Sequence, residues 1–361
     1  MKKRIKAFGY NLIKKENRIF LFLLIFILAY GFYEFGENYI FHFFIKPTNN
    51  EIYVDLNSKF WGQSGAEKYP FKNIEPALEL AARNKSLNTV FVKGGPYKER
   101  IRVPKGVDLI SQDNMVSIIY PKENFSPQEI IKYEIKKDPG GGAVVLEGDN
   151  FIKGLDIKKG FYGVFILKDA NVNLVDCKVS QAKHYGVYNQ EYSDLNSGKI
   201  SIFNCTVSEN GSQGIYLQKS NFSLRESLIE RNAEEGVDLH IGMNSYIKNC
   251  IIRENGESGI ETELGENRVI IEENFIHDNL KQGIALQSDL EGGFVSIKNN
   301  KIKNNGKFGL RCVVHEKTLP DYFNRAFEKD IGFIISNNQI IGNGQDRKKN
   351  DGKQYSSRCN H

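Results

Sequence analysis

Two phrases 23 residues apart, "GVDLH" from Gly236 and "GIETE" from Gly259, bring together side chains able to move protons or hold a cation. In each, polar and apolar residues alternate with the period of a half-buried strand. If Val237 and Leu239 point inward, Asp238 and His240 point outward, and Glu261 and Glu263 do the same one repeat later. Three carboxylates and an imidazole on one face open several chemistries. Two carboxyl groups about 5–5.5 Å apart suit retaining glycoside hydrolysis, and about 6.5–9.5 Å apart inverting hydrolysis. A lyase or epimerase acting on a uronic acid needs other parts. It requires a cation for the sugar carboxylate, a base for the adjacent ring proton, and an acid for the leaving oxygen or the opposite face. Arg311 or Ca²⁺ could supply the cation, His240 the base, and a carboxylate the acid. Close carboxylates raise one another's pKa or recruit a cation, which makes Asp238, Glu261 and Glu263 candidate Ca²⁺ ligands.

These phrases belong to a series. A glycine followed by an aliphatic residue recurs at Gly163, Gly186, Gly214, Gly236, Gly259, Gly283 and Gly309, with spacings of 23, 28, 22, 23, 24 and 26 residues. A self-similar period of this length is the mark of a solenoid. One outward column of this face would read Phe165, Tyr188, Tyr216, Asp238, Glu261, Ala285, Arg311. The other would read Leu167, Gln190, Gln218, His240, Glu263, Gln287, Val313. Tyr188 and Tyr216 are candidates for stacking on sugar rings, and Gln190, Gln218 and Gln287 for binding hydroxyls.

A second phrase alternates with the first: "IKGLDI", "LVDCKV", "IFNCTV", "LRESLI", "IKNCII", "IEENFI", "IKNNKI", "ISNNQI". Five residues after its fourth position, six repeats place an asparagine: Asn210, Asn232, Asn255, Asn279, Asn305 and Asn343. Asparagine tolerates left-handed backbone, and its amide can bond the neighbouring coil. Both phrases are rich in Val and Ile and read as strands. Cys177 and Cys205 hold equivalent places and are expected to pack as small apolar groups. The count from the fourth position to the next glycine is eight or nine, whereas that from glycine to the next fourth position runs from 13 to 29. Insertions such as Glu191–Gly198 and Val314–Asp330 therefore emerge along one side, as in repeat proteins that wall a binding face. Residues 121–142 read as a further long insertion.

Ahead of the repeats, "NIEPALELAARN" spaces Ile74, Ala77, Leu78, Ala81 and Ala82 as the buried face of a helix able to cap the open end of a solenoid. "FVKGGPYKERIRV" then supplies strand, turn and strand. The order of "PFKNIEPALELA", "FVKGGPYKERIRV", "GLDI" and the glycine-aliphatic repeats resembles the right-handed parallel β-helix proteins related to pectate lyases and pectin methylesterases, over residues 52–343. The resemblance implies an all-β right-handed parallel β-helix, within a superfamily that includes lyases, hydrolases, epimerases, esterases and binders. The "GDD" and "GHG" phrases of polygalacturonases do not occur. "GVDLH" also resembles the Asp-Pro-His motif of mannuronan epimerases at Asp238 and His240. It departs from that motif at Leu239, where proline is usual, and at Ile241, where an acidic residue is usual.

The formal net charge of +5 is carried entirely by residues 1–46, with eight Lys/Arg against three Glu; the remainder is neutral and carries no basic face for nucleic acid. Seven of those basic residues precede "IFLFLLIFILAYGFY" (19–33), which the later aromatics extend towards membrane-spanning length. The organisation expected is a basic cytoplasmic arm (1–18), one transmembrane helix (19–45) and a β-helix domain (47–343). Within that domain, 52–120 form the cap and first coil and 140–343 the repeats, followed by a disordered polar tail (344–361). The body would then lie in a periplasm or at the cell surface. The leading expectation is a membrane-anchored protein acting on polysaccharide as lyase, epimerase or hydrolase. The alternative is a non-catalytic glycan-binding or envelope-scaffold protein.

Overall fold

The computed structural model describes residues 46–47, 49–60, 62–190, 198–240, 244–264, 268–288, 293–314 and 332–344. The expected transmembrane segment and most of the tail lie outside these residues, as do most of the Glu191–Gly198 and Val314–Asp330 insertions. Among the described residues no helix is long and apolar enough to cross a membrane.

The described chain winds into three parallel sheets of 11, nine and nine strands, every pair of neighbouring strands coming from successive coils. The Gly-aliphatic strands form one sheet, which includes Tyr162–Ile166, Val187–Asn189, Ile215–Gln218, Val237–His240, Ile260–Leu264, Ile284–Ser288 and Leu310–Val314. Their inward residues stack as an aliphatic ladder, with Val164, Val187, Ile215, Val237, Ile260, Ile284 and Leu310 all buried. The glycine that opens each of these strands is required by the stacking itself. A Cβ on Gly236 would lie 2.7 Å from the carbonyl oxygen of Gly259 in the next coil and 2.8 Å from Asn255 Nδ2.

The second phrase, read above as one strand, is bent into two. Left-handed residues such as Asp176 (φ 54°), Asn204 (φ 50°) and Asn249 (φ 55°) turn the chain from the 11-stranded sheet into the third sheet. A coil thus has three strands. The asparagine series is a ladder of amides: the N–H and Nδ2 of Asn232 both donate to Asn255 Oδ1 (3.1 and 3.0 Å), and Asn255 repeats this on Asn279 (3.1 and 2.9 Å). Left-handed backbone is not the reason for asparagine here. The positive φ falls one residue earlier, at Glu209, Arg231, Glu254 and Asp278, so the buried amide is what the position selects. Cys177, Cys205 and Cys250 are free and buried, as their packing role requires, while Cys312 is disulfide-bonded.

Helix α1 (Ile74–Arg83) buries Ile74, Ala77, Leu78 and Ala81 against the first coil; Ala82, expected on that face, is exposed. Its first turn is capped by Glu99, which accepts from the Ile74 N–H (3.0 Å) and the Glu75 N–H (3.1 Å). The carboxylate that ends "GPYKE" thereby satisfies two orphan donors and the helix dipole. The 121–142 insertion forms a second helix, α2 (Pro127–Glu134). It starts with a capping box, Ser126 and Glu129 bonding each other's backbone, and with Pro127 in its first turn.

Candidate functional site

The outward face of the Gly-aliphatic sheet follows the expected register. Tyr188 pairs with Phe165 and Tyr216, Tyr216 with Asp238, Asp238 with Glu261, Glu261 with Ala285, and Ala285 with Arg311. In the second column Gln218 pairs with His240, and Glu263 with Gln287. Gln190 leaves this column. The Asn189 amide bonds the Gln218 N–H (2.7 Å) and carbonyl (2.8 Å) instead of passing the ladder on through backbone.

At the centre, His240 is held between two carboxylates, with Nε2 3.4 Å from Asp238 Oδ2 and Nδ1 3.4 Å from Glu263 Oε2. Its contacts with Asp238 and then Glu263 outweigh burial and push its pKa up to about 10. At neutral pH it is an imidazolium, and the expected role of general base does not fit it. Asp238 and Glu263, two of the three expected Ca²⁺ ligands, both turn towards the His240 ring, and Glu261 does not. Among the described residues no three His, Cys, Asp or Glu side chains form a metal-binding group.

Glu261 stands beside this triad, one strand from Asp238. Burial, then the Asp238 charge, then Glu257, raise its pKa. Its oxygens accept from Gln287 Nε2 and from Ser258 Oγ (3.4 Å), and the nearby Lys281 charge only partly offsets the rise. Arg311 stands two strands further along, about 10 Å at strand spacing, and forms no ion pair among the described residues. The structure does not bring it into the cluster.

The face has a third outward column. The residue before each glycine also faces out: Tyr162, Tyr185, Gln213, Glu235, Ser258, Gln282 and Phe308, stacked by bonds such as Gly214 N–H to the Glu235 carbonyl (3.0 Å) and Gly236 N–H to the Ser258 carbonyl (3.0 Å). Gln213 Nε2 reaches Asp238 Oδ2 (3.3 Å), and Ser258 Oγ reaches Gln282 Oε1 (3.1 Å). Buried Glu235 has its pKa raised to about 9, first by burial and then by its bond with Glu257. Its signal was present in the sequence, because "QG", "EG", "SG" and "QG" precede the four middle strands. A strand that begins at its glycine leaves this flanking position out.

The aromatic end differs from expectation. Tyr188 is 2 % exposed and offers no free ring face. It lies in a second apolar cluster outside the solenoid, with Tyr133, Val145, Phe161, Tyr162, Phe165 and Tyr185. The 121–142 insertion supplies the cover: Tyr133 meets Phe161 at 5.6 Å, and its carbonyl accepts from Tyr162 Oη (2.5 Å). Tyr216 is half-buried, stacked at 4.7 Å on Tyr185 and 5.1 Å from the His240 ring, and its hydroxyl accepts from Gln218 Nε2 (2.7 Å).

The family model described as "Right handed beta helix region" matches residues 195–360. No curated protein matches the sequence. Among solved structures, pectate lyase Pel9A superposes with a TM-score of 0.51 and 13% identity over 82% of this chain and 80% of that one. The periplasmic alginate epimerase AlgG gives 0.39 and 17%, covering 71% and 57%. The A-module of an Azotobacter vinelandii mannuronan C-5 epimerase gives 0.34 and 14%, covering 75% and 93%. At 13% identity the likeness to Pel9A is one of fold, and with the strand order above it makes the chain a right-handed parallel β-helix.

Proposed function

We propose that the protein acts on a polysaccharide laid along the outward face of the Gly-aliphatic sheet, with Glu261 as the proton-transfer group and His240 as a fixed cation beside it. The observation that carries this reading is the pairing of a carboxyl of raised pKa, hydrogen-bonded by neutral donors, with an imidazolium one strand away. A raised pKa makes a carboxylate a stronger base and its acid form available nearer neutrality. In proton abstraction beside a uronate carboxylate, Glu261 would take the ring proton and the His240 charge would offset the carboxylate; the carbanion would then either expel the neighbouring glycosidic oxygen, protonated by water, or take a proton from water on the opposite face. This favours a lyase or epimerase over a hydrolase. The two carboxylates a hydrolase would pair with Glu261, Asp238 and Glu263, are already engaged by His240. The fold shared with pectate lyase is consistent with a glycan partner.

A second reading, non-catalytic glycan binding, is favoured by one feature. Asp238 is only 7 % exposed, and an imidazolium saturated by two carboxylates is also what a structural ion cluster requires. The full chain incubated with polygalacturonate, alginate and neutral glycans decides between them. Absorbance from an unsaturated sugar or a changed epimer ratio, lost in Glu261→Gln, supports catalysis. Binding without turnover supports the second reading, and turnover unchanged in Glu261→Gln overturns the assignment of Glu261.

For location, we infer a single span over 19–45 with the basic arm in the cytoplasm and the β-helix outside. The charge asymmetry supports it, as does the disulfide at Cys312, a bond of oxidising compartments. Protease added to intact cells should remove the β-helix, and full protection would overturn this orientation.

A further inference from the structure

The covered aromatic end has a consequence for how a ligand meets the acidic centre. Along the first outward column, Val145, Phe165 and Tyr188 are buried beneath the 121–142 insertion, and Tyr216 is the first position left partly open. The insertion ends on a cation. After α2 the chain turns through Lys137, whose left-handed backbone (φ 48°) brings Nζ to 5.4 Å from the Tyr185 ring and 5.6 Å from the Tyr188 ring. Two aromatic faces are its neighbours, and no carboxylate pairs with it among the described residues; Lys132 takes the nearby Asp138 (3.3 Å). Burial lowers its pKa. Glu134 acts on it only as a nearby charge, and an ammonium partly removed from water without a direct ion pair gains from an anion that can approach it. On the far side of the Tyr185–Tyr216 stack stands His240. Two cations thus bracket Tyr216, one at the closed end and one at the proposed centre.

We propose that the glycan meets this face end-on: its terminal residue stops at Tyr216 with a carboxylate towards Lys137, and the chain runs away past Glu261 and Gln287. The ligand class is the terminus of a uronate-containing polysaccharide. The inference rests on the functional reading above and adds to it a closed side, a stop and a charge requirement at the stop. A polymer lying across the face in both directions would have to displace the Phe125, Tyr133 and Phe161 packing, which holds three rings at 5.6–5.7 Å from one another.

The test uses the full chain with polygalacturonate and oligomannuronate preparations of graded length, assayed for binding at equal mass and at equal molar chain ends. End-on binding makes the number of sites follow chain ends, so that shortening the polymer at constant mass raises capacity in proportion. Lys137→Met weakens binding about tenfold or more, the effect of losing a charge-assisted contact, whereas Lys137→Arg retains it. Lys137→Met binds neutral oligosaccharides no worse than the parent chain. Capacity that follows mass, or affinity indifferent to Lys137→Met, overturns the end-on arrangement while leaving a polysaccharide-acting face in place. If no glycan of any length binds, both the end-on arrangement and the functional reading fall.

Discussion

The two ends of one sheet face are built by the same repeat and do opposite things. In the coils of Phe165 and Tyr188 the outward positions carry aromatic rings, and a capped helix from an insertion closes over them into a second small core. In the coils of Asp238 and Glu261 the same positions carry charge, and polar side chains such as Gln213 and Gln287, not a described helix, pack against them. The backbone cannot tell these coils apart, since both present the Gly-aliphatic strand in one register. What differs is solvation. Rings left outward gain from a cover, by about 25 cal/mol for each Å² of apolar surface buried, so the insertion folds down. Carboxylates would lose by the same cover unless paired, so they recruit an imidazolium and polar side chains instead. Aromatic rings on a solenoid face are therefore not by themselves evidence of a sugar platform.

The strongest way to separate the two regions is to remove one group from each. Glu261→Gln should lower turnover by about 10²–10⁴-fold, the usual contribution of a positioned acid or base, on the glycan that the full chain processes. Its unfolding midpoint should hold or rise, because a half-buried carboxyl beside Asp238 is exchanged for a neutral amide. Tyr188→Ala should do the reverse, lowering stability by about 3 kcal/mol in a denaturant titration as a buried ring leaves a cavity, while turnover per folded molecule is kept. A Tyr188→Ala protein of full stability and lost turnover would break the contrast and return that ring to the site.

Smaller effects sharpen it. Asn255→Ala interrupts the amide ladder beneath both regions and leaves the Asn232 backbone N–H without its acceptor, a loss of about 1–3 kcal/mol for an unsatisfied buried donor, while Asn232 Nδ2 keeps the Val207 carbonyl. Equal loss of binding on both sides of the break would show that the ladder is purely structural. The least effect is one of pH. His240 has a folded pKa raised from 6.5 to about 10, so its stabilising contribution is complete below pH 6.5 and is lost as pH rises towards 10. The side chain is 34 % exposed, so solvent screens much of the gain. Glu235, raised to about 9, acts in the same direction. The quantity to measure is accordingly the difference in melting temperature between the parent chain and His240→Gln across that range. A difference independent of pH would mean that His240 is not the imidazolium described here.

Most of the fold was legible because a solenoid writes its period into the sequence. The glycine spacing, the Val and Ile ladders and the asparagine series each repeat many times, so no single residue has to be read correctly. The cap was legible for the same kind of reason, a 3.6-residue spacing ending at Ala81, although Ala82 falls outside the buried arc. The third column was legible too, in the residue before each glycine, but a strand read as starting at the glycine hides it. Helix α2 had its own signal, "SPQE", a capping box with proline in the first turn. What α2 would cover had no such signal, because that depends on where the chain returns in space.

By itself, then, the sequence determined the coil, the register and the outward placement of Asp238, His240, Glu261 and Glu263, since period-two alternation and one fixed turn leave a strand no other phase. Only the tertiary structure decided what those side chains are. Protonation, exposure and partnership depend on atoms from other coils. Asp238 and Glu263 make His240 a cation, residues 121–142 make Tyr188 core, and the gap of two strands leaves Arg311 outside the cluster. Alternation fixes direction along one strand, whereas charge state and accessibility are set across strands by whatever folds over them.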